Sequence, residues 1–229
     1  MTDLHTHILP GMDDGAPDIA TAIAMLEEEA KQGVETVALT PHFYPSRESA
    51  KQFLARRSEA FETLRAEVDG KTLPNLLLGA EAAWAPGMED WEELPQLCYE
   101  GTKVLLVELP FTPWTDALFH QLYAMESKRG ILPMIAHVER YFFCQEKSKM
   151  AALMELELPM QVSAAELGRF FGRRKALRLI EMGGILISDC HNLTSRPPNM
   201  AKGIECLQKR CGNEFAQAAA ENTVNALYD

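Results

Sequence analysis

The feature of this sequence that most constrains its fold is a repeated alternation of short apolar segments with longer amphipathic ones. The amphipathic segments carry apolar residues at helical spacing, as at Ala22, Ile23 and Leu26 after Asp18, and the longest is predicted over residues 46–68. The apolar segments are nearly continuous, which is typical of strands buried on both faces of a parallel sheet. Seven such strands are predicted, over residues 3–7, 35–40, 76–80, 103–107, 131–136, 160–163 and 185–188.

Six of the seven predicted strands have a His, Asp or Glu at or just after the carboxyl end. An α/β barrel builds its site from the loops that follow its strands, so it uses nearly every strand end. An open, doubly wound sheet collects its ligands at one switch point instead. We therefore expect an α/β fold with a parallel (β/α)7 barrel of the TIM type.

Length and composition are those of one globular domain, which we expect to span residues 1–229. A formal net charge of −11 disfavours binding to nucleic acid. No apolar run is long enough to cross a bilayer, and no signal peptide is recognisable, so we expect a cytoplasmic protein without membrane insertion. Five cysteines without a CxxC pair disfavour a disulfide framework and a zinc ribbon. These features do not predict the oligomeric state.

The first predicted strand ends in an HxH motif. Successive side chains of a strand point to opposite faces, so Asp3, His5 and His7 share one face and the two imidazoles converge. The loop that follows carries Asp13 and Asp14 beside glycines. Histidine and carboxylate ligands together suit a metal site. Alone, the motif fits two structural histidines equally well.

The other strand ends extend this candidate metal site. Five of the six histidines belong to it, and the sixth, His120, lies within a predicted helix. Nine ligands with four carboxylates exceed the needs of one ion and suit two or three ions that share a carboxylate. Imidazole with carboxylate suits manganese, iron or zinc. The nine candidate ligands are His5, His7, Asp14, His42, Glu81, Glu108, His137, Asp189 and His191.

A set of motifs gives the chain a resemblance to a known family. They are HxH, TPH, GAE, VELPF, IAHVERY and SDCHN followed by RPPNM, in this order at strand ends. The chain resembles the polymerase and histidinol phosphatase (PHP) superfamily, and within it the manganese-dependent protein tyrosine phosphatases of bacterial capsule and exopolysaccharide loci. The resemblance runs from residue 2 to about residue 225 and implies a distorted (β/α)7 barrel with a trinuclear metal site.

The resemblance also implies which residues hold each ion. Asp13 competes with Asp14 for the loop position, and although we favour Asp14, the choice stays open. The implied sets are His5, His7, Glu81 and Asp189 for the first ion, Glu81, Glu108 and His137 for the second, and Asp14, His42 and His191 for the third.

Two arginines are implied as catalytic and substrate-binding groups. Arg140 follows the His137 strand, and Arg196 follows the Asp189 strand, so both can reach the mouth of the site. A guanidinium matches phosphate oxygens in bidentate fashion and would balance charge while a metal-activated hydroxide attacks phosphorus. The alternative for each arginine is a structural ion pair.

A competing motif lies in the same region. Cys190 to Arg196 has the Cx5R spacing of cysteine-dependent tyrosine phosphatases, in which a thiolate attacks phosphorus. That chemistry needs a loop that cradles phosphate at a helix N-terminus. This loop has no glycine and runs into Pro197 and Pro198, and strand alternation turns Cys190 away from the face of Asp189. We therefore interpret the match as chance.

The function implied is a metal-dependent protein tyrosine phosphatase that acts on a phosphotyrosine-bearing bacterial tyrosine kinase of polysaccharide synthesis. Phe43, Tyr44, Trp84 and Phe111 would then be candidate contacts for the phosphotyrosine ring. One alternative is a small-molecule phosphomonoesterase such as a histidinol phosphatase. Another is a non-catalytic metal-binding regulatory subunit, against which the complete ligand set argues.

Overall fold

A computed structural model of the protein describes residues 1–227, so residues 228–229 of the predicted domain lie outside the described part. Strands alternate with helices along the chain, together with two short 3-10 helices, Met88–Asp90 and Val138–Phe143. The strands are β1 (Thr2–Thr6), β2 (Thr36–Leu39), β3 (His42–Phe43), β4 (Asn75–Leu78), β5 (Glu81–Ala83), β6 (Val104–Glu108), β7 (Leu132–Ile135), β8 (Gln161–Ser163) and β9 (Ile185–Ile187). The helices are α1 (Ile19–Lys31), α2 (Ala50–Val68), α3 (Leu94–Leu97), α4 (Asp116–Arg129), α5 (Lys147–Glu155), α6 (Ala164–Gly168), α7 (Arg173–Glu181), α8 (Met200–Cys211) and α9 (Asn213–Asn225).

The strands pair in parallel, as their continuous apolar character predicts. They form three ladders, in the orders β1-β2-β4, β3-β5-β6-β7 and β8-β9. Alternate residues of one strand enter two separate apolar clusters: Leu105 and Val107 of β6 belong to one, and Leu106 belongs to the other. Both faces of the strands are therefore buried, which confirms the α/β class.

The three ladders are linked at single points. An isolated bridge between Thr6 and Cys190 joins β1 to the residues after β9, and a bridge between Ile135 and Met160 joins β7 to the residue before β8. Two of the predicted strands, residues 35–40 and 76–80, are each followed after a break by a further short strand that was not predicted, β3 after β2 and β5 after β4. The linked strands follow the order of a distorted seven-stranded ring, but the paired backbone of residues 1–227 does not close into a continuous barrel.

The two strand breaks have local causes and position two candidate ligands. Pro41, which has no N–H for the ladder, separates β2 from β3. Gly79 separates β4 from β5, and a Cβ at this position would lie 3.1 Å from the Tyr99 ring. Beyond the breaks, His42 pairs in register with Glu81. The interruption thus brings a histidine and a carboxylate side by side.

The helices begin at capping residues. Asp18 accepts a hydrogen bond from the backbone N–H of Thr21 over 2.8 Å, so α1 begins where predicted. The prediction of a helix from residue 46 is wrong, because Ser49 and Gln52 form a reciprocal capping box that starts α2 at Ala50. Within residues 1–227 we find no helix with the length and apolar character needed to cross a membrane.

Candidate metal centre

The nine predicted ligands lie together at the carboxyl ends of the strands. His42 lies in β3, Glu81 begins β5 and Glu108 ends β6. His137 and Asp189 each lie two residues beyond a strand, β7 and β9. The remaining four come from β1, from the loop that follows it and from the residues after β9: His5, His7, Asp14 and His191.

Four buried side chains meet around one point. The Nε2 atoms of His5 and His7 are 3.1 Å apart, and they lie 3.3 and 3.4 Å from Glu81 Oε2. Asp189 Oδ1 lies 3.6 Å from His5 Nε2 and 3.4 Å from His7 Nε2. Ligands that each lie about 2.1 Å from a shared ion are separated by roughly 3.0–3.4 Å, and four of these five distances fall in that range, so the spacing fits one ion.

Glu81 places its two oxygens in two different groups, and its Oε2 also lies 2.7 Å from His42 Nδ1. Its Oε2 faces His5 and His7, whereas its Oε1 lies 2.9 Å from His137 Nε2. Glu108 Oε1 completes the second group at 3.5 Å from His137 Nε2. A carboxylate placed in this way can bridge two ions.

The third group lies nearer the solvent. Asp14 Oδ1 is 3.6 Å from His42 Nε2 and 3.5 Å from His191 Nε2. Asp13, the alternative for the loop position, turns the other way: its Oδ2 lies 2.7 Å from His7 Nδ1 and accepts a hydrogen bond from the backbone N–H of His42. Asp14 therefore faces the Nε2 atoms of His42 and His191, whereas Asp13 contacts the opposite nitrogen, Nδ1, of His7.

Hydrogen bonds at the rear of two imidazoles set the tautomer that each ring adopts when it is neutral. His5 Nδ1 lies 2.7 Å from Gln161 Oε1, and His7 Nδ1 lies 2.7 Å from Asp13 Oδ2. If each Nδ1 donates its proton to that oxygen, each Nε2 is left with a lone pair. Two lone pairs 3.1 Å apart, facing carboxylate oxygens, repel unless a cation lies between them. The donor set therefore fits a metal ion.

Sequence reasoning missed Gln161. It lies within a predicted strand, 156 residues from its partner His5. Its amide nitrogen lies 3.1 Å from the hydroxyl of Tyr99, which donates in turn to the carbonyl oxygen of Leu4. An amide in the middle of a fully buried strand was the only signal available for it.

The charges of the cluster shift the pKa values of its histidines. Burial lowers the pKa of His7, but its hydrogen-bonded carboxylate neighbours outweigh burial and raise the pKa to about 10. Burial also lowers the pKa of His137, and hydrogen bonds to Glu108 and Glu81 overcome it and raise the pKa to about 9. Burial and the charge of His7 lower the pKa of His191 to about 3. The carboxylates thus hold positive charge firmly at the first two groups.

Two of the candidate ligands have unusual backbone conformations. His137 and Asp189 adopt positive φ angles of 30° and 54°. Such left-handed conformations cost non-glycine residues on the order of 1–3 kcal/mol and persist only where the surroundings enforce them. Here they accompany the turns that aim the His137 ring at Glu81 and the Asp189 carboxylate at His5.

Arg140 and Arg196 converge on the outer oxygen of Asp189. Arg196 donates to Asp189 Oδ2 over 2.7 Å, and Arg140 contacts the same oxygen. The side chain of Arg196 is 37% exposed and that of Arg140 is 36% exposed. Both line a cavity of about 460 Å³. Two guanidinium groups thus lie beside the candidate metal centre, and the exposed part of each can bind an anion in the cavity.

The structure places Cys190 away from this cavity. Its side chain is fully buried, with Sγ 3.6 Å from Glu29 Oε1. Burial raises the pKa of the Cys190 thiol well above its usual range. Arg196, the other end of the Cx5R match, pairs with Asp189 instead. The geometry agrees with a chance match.

The four aromatic candidates separate into different environments. Phe43 is buried against Phe53, so the prediction that it contacts a ligand is wrong. Tyr44 stacks on His42 with ring centroids 5.0 Å apart. Phe111 is 49% exposed, and its ring lies 6.3 Å from that of His137. Trp84 is partly buried against the apolar core.

These observations define a parallel α/β protein with a candidate multinuclear metal centre and an arginine-lined mouth. The chain belongs to the CpsB/CapC family of capsular polysaccharide synthesis, whose model matches residues 1–227. This confirms the predicted resemblance to the tyrosine phosphatases of capsule loci.

Two named relatives span nearly the whole chain. The chain is 31% identical over 233 residues to the tyrosine-protein phosphatase YwqE of Bacillus subtilis. This alignment covers 97% of the present chain and 89% of YwqE. It is 29% identical over 240 residues to the tyrosine-protein phosphatase CpsB of Streptococcus pneumoniae. This alignment covers 95% of the present chain and 93% of CpsB.

Solved structures agree with these relatives. One from a study of YwqE and CpsB, described as unique metal-dependent tyrosine phosphatases, matches with a TM-score of 0.85 at 28% identity over 99% of this chain and 94% of that chain. An organophosphorus hydrolase variant from Deinococcus radiodurans matches with a TM-score of 0.53 at 14% identity over 100% of this chain and 92% of that chain, which is a likeness of fold alone.

Proposed function

We propose that this protein is a metal-dependent protein tyrosine phosphatase. The observation that carries the proposal is the arrangement of three ligand groups beside Glu81 with Arg140 and Arg196 on Asp189, since it can hold several cations next to a phosphoryl group. The activities named for its relatives support the same function. The family match over residues 1–227 supports one domain over residues 1–229.

The proposed cofactor is manganese, with three ions assigned to the three groups. Iron and zinc suit the same mixture of imidazole and carboxylate. The proposed ligands are His5, His7, Glu81 and Asp189 for the first ion, Glu81, Glu108 and His137 for the second, and Asp14, His42 and His191 for the third.

When bound, divalent ions supply a water of lowered pKa as nucleophile and offset the charge on the phosphoryl oxygens. The chain keeps its carboxylates ionised for this role. Burial raises the pKa of Glu81, but His5 and its hydrogen-bonding histidines outweigh burial and hold the pKa well below its usual range. Arg140 and Arg196 line the cavity and would bind the phosphoryl oxygens through their guanidinium N–H groups. Phenolate is a stable leaving group, so it needs little help from an acid.

The proposed substrate is a phosphotyrosine on a tyrosine kinase of capsule synthesis. The family description and the names of the relatives support this choice. The exposed ring of Phe111 near His137 and the ring of Tyr44 on His42 offer aromatic walls for the phenyl group.

The experiment is a phosphatase assay on a phosphotyrosyl peptide with metal-stripped protein, before and after Mn²⁺ is added back. We expect activity only with Mn²⁺, its loss in His5→Ala and its retention in Cys190→Ser. His120→Ala is the matched control, because His120 is the one histidine outside the cluster and is exposed. An inactive Cys190→Ser together with indifference to chelation would refute the proposal.

Histidinol phosphate serves as the competing substrate in the same assay. We expect kcat/KM for the phosphotyrosyl peptide to exceed that for histidinol phosphate by about tenfold or more, which corresponds to about 1.4 kcal/mol. The reverse order would favour a small-molecule phosphomonoesterase, and turnover of neither substrate would favour a non-catalytic subunit.

A further inference from the structure

A basic and aromatic segment lies at the catalytic end of the fold. Residues 169–175, which we call the Phe170 loop, have the sequence RFFGRRK, with four basic residues and no acidic one. The chain as a whole has a formal net charge of −11. Residues 169–172 connect α6 to α7 after β8, and residues 173–175 form the first turn of α7, so the segment lies at the carboxyl end of the strands, as the metal centre does.

The aromatic rings of this segment face solvent. Phe170 is 85% exposed and Phe171 is 94% exposed, with ring centroids 5.2 Å apart. Phe143, from the neighbouring 3-10 helix, is 82% exposed, and its ring centroid lies 4.8 Å from Lys175 Nζ. Large apolar side chains exposed in one patch beside charged groups mark interaction sites.

The Phe170 loop is held in place by specific contacts. A Cβ at Gly172 would lie 2.1 Å from Glu166 Oε2, so glycine permits the loop to approach this carboxylate. Glu166 also pairs with Arg169 at 2.7 Å, and Arg173 donates to the carbonyl oxygen of Leu167 over 2.8 Å. Its phenylalanines are therefore displayed by an ordered turn.

One cavity connects the loop to the proposed phosphate-binding arginines. Its walls include Arg140 and Arg196 together with Phe143, Glu166 and Arg169. A peptide whose phosphotyrosine reached the metal centre would therefore place its neighbouring residues along this wall. Arg174 is exposed and forms no ion pair with residues 1–227, so its charge is available to such a peptide.

We infer that the Phe170 loop docks an acidic peptide segment that flanks the phosphotyrosine, an inference that rests on the proposed function. Arg174 and Lys175 attract its carboxylates, and Phe170 and Phe171 pack against its apolar side chains. Charge complementarity selects this occupant, because the loop is a basic patch on an acidic protein.

The test compares two phosphotyrosyl peptides of equal length, one with Glu and one with Gln at the flanking positions, and p-nitrophenyl phosphate. We expect wild-type kcat/KM to favour the acidic peptide by about tenfold at low salt, since exposed charge pairs contribute modestly and are screened as salt is added. The double variant Arg174→Glu with Lys175→Glu should lose this preference while p-nitrophenyl phosphate turnover is unchanged. The matched control is Lys71→Glu with Lys103→Glu, which makes the same charge change before β4 and β6, at the opposite strand ends.

A wild type without the preference, or a double variant that keeps it, would overturn the inference. Fluorescence anisotropy of the unphosphorylated acidic peptide on metal-free protein tests docking without catalysis. Normal docking without turnover of any substrate would therefore count against the proposed function alone.

Phe170→Ser with Phe171→Ser should weaken docking. If these changes instead dissociate a dimer and leave peptide binding intact, the surface joins two copies of the chain and the inference is wrong.

Discussion

Arg196 donates a hydrogen bond over 2.7 Å to Asp189, on the carboxylate oxygen that faces away from the histidines. The other oxygen of the same carboxylate lies 3.4 Å from His7 Nε2. A single side chain thus joins the proposed metal ligands to the proposed phosphate-binding groups. Because Arg196 is held by the same carboxylate that faces His7, a shift of Asp189 at the metal centre would also move Arg196.

We expect Arg196→Lys to lower kcat/KM on a phosphotyrosyl peptide by about 100-fold, the effect of losing one preorganised donor to developing charge. Lysine keeps the charge but cannot hold Asp189 and a phosphoryl oxygen with one planar fork. Steady-state kinetics at saturating Mn²⁺ measure the change. Arg210→Lys, an exposed position on α8, is the control, and wild-type kinetics in Arg196→Lys would exclude the proposed role.

We expect Gln161→Met to weaken Mn²⁺ binding by about 10–100-fold, because the partner that orients a metal-binding histidine contributes this much to affinity. Methionine fills a similar volume, but its thioether sulfur is a much weaker acceptor for the proton of His5 Nδ1 than the amide oxygen of Gln161. Isothermal titration calorimetry measures the affinity, and Gln208→Met on the exposed face of α8 is the control. Unchanged affinity in a folded Gln161→Met variant would show that this hydrogen bond does not prepare the site.

The sequence was sufficient for the parallel α/β class and for the nine candidate ligands that the structure brings together, because strand ends that follow buried apolar runs meet at one edge. It was not sufficient for Gln161, since the hydrogen bond to His5 depends on two strands that are distant in the chain. It also missed the burial of Phe43, because a phenylalanine beside a ligand fits either a cavity wall or a core. The breaks at Pro41 and Gly79 follow from local chemistry, but their effect on pairing required the structure.

Metal binding should depend steeply on pH. Folding raises the pKa of His7 from 6.5 to about 10 and that of His137 from 6.5 to about 9, so protonated rings stabilise the metal-free protein fully below about pH 6.5. This stabilisation is lost as the pH rises toward 9 and 10. Mn²⁺ needs the deprotonated rings, so it must displace these protons. We therefore expect Mn²⁺ affinity to rise from pH 6 to 9 while the melting temperature of the metal-free protein falls above pH 7.

Calorimetry at pH 7 in two buffers with different protonation enthalpies measures this coupling directly. About two protons should be released when the first two groups are filled, one from each of these histidines. His120→Ala should release the same number, since His120 is exposed and lies outside the cluster. Affinity that does not change with pH would mean that the histidines are already deprotonated in the metal-free protein.

Asp13 and Asp14 should have separable effects on metal content. Asp14 Oδ1 faces His42 and His191, so we expect Asp14→Asn to bind about one ion fewer per chain at saturating Mn²⁺. Asp13 contacts His7 from the rear, so Asp13→Asn should keep the full number of ions and bind them more weakly.

Elemental analysis after desalting counts the ions, and titration gives their affinity. Asp69→Asn is the control, because Asp69 is exposed at the far end of α2. If Asp13→Asn loses an ion while Asp14→Asn keeps all of them, the two loop carboxylates have exchanged roles. In that case the approach of Asp13 to His7 would have to open when metal binds, because its Oδ2 cannot serve both His7 Nδ1 and an ion in the third group with the present geometry.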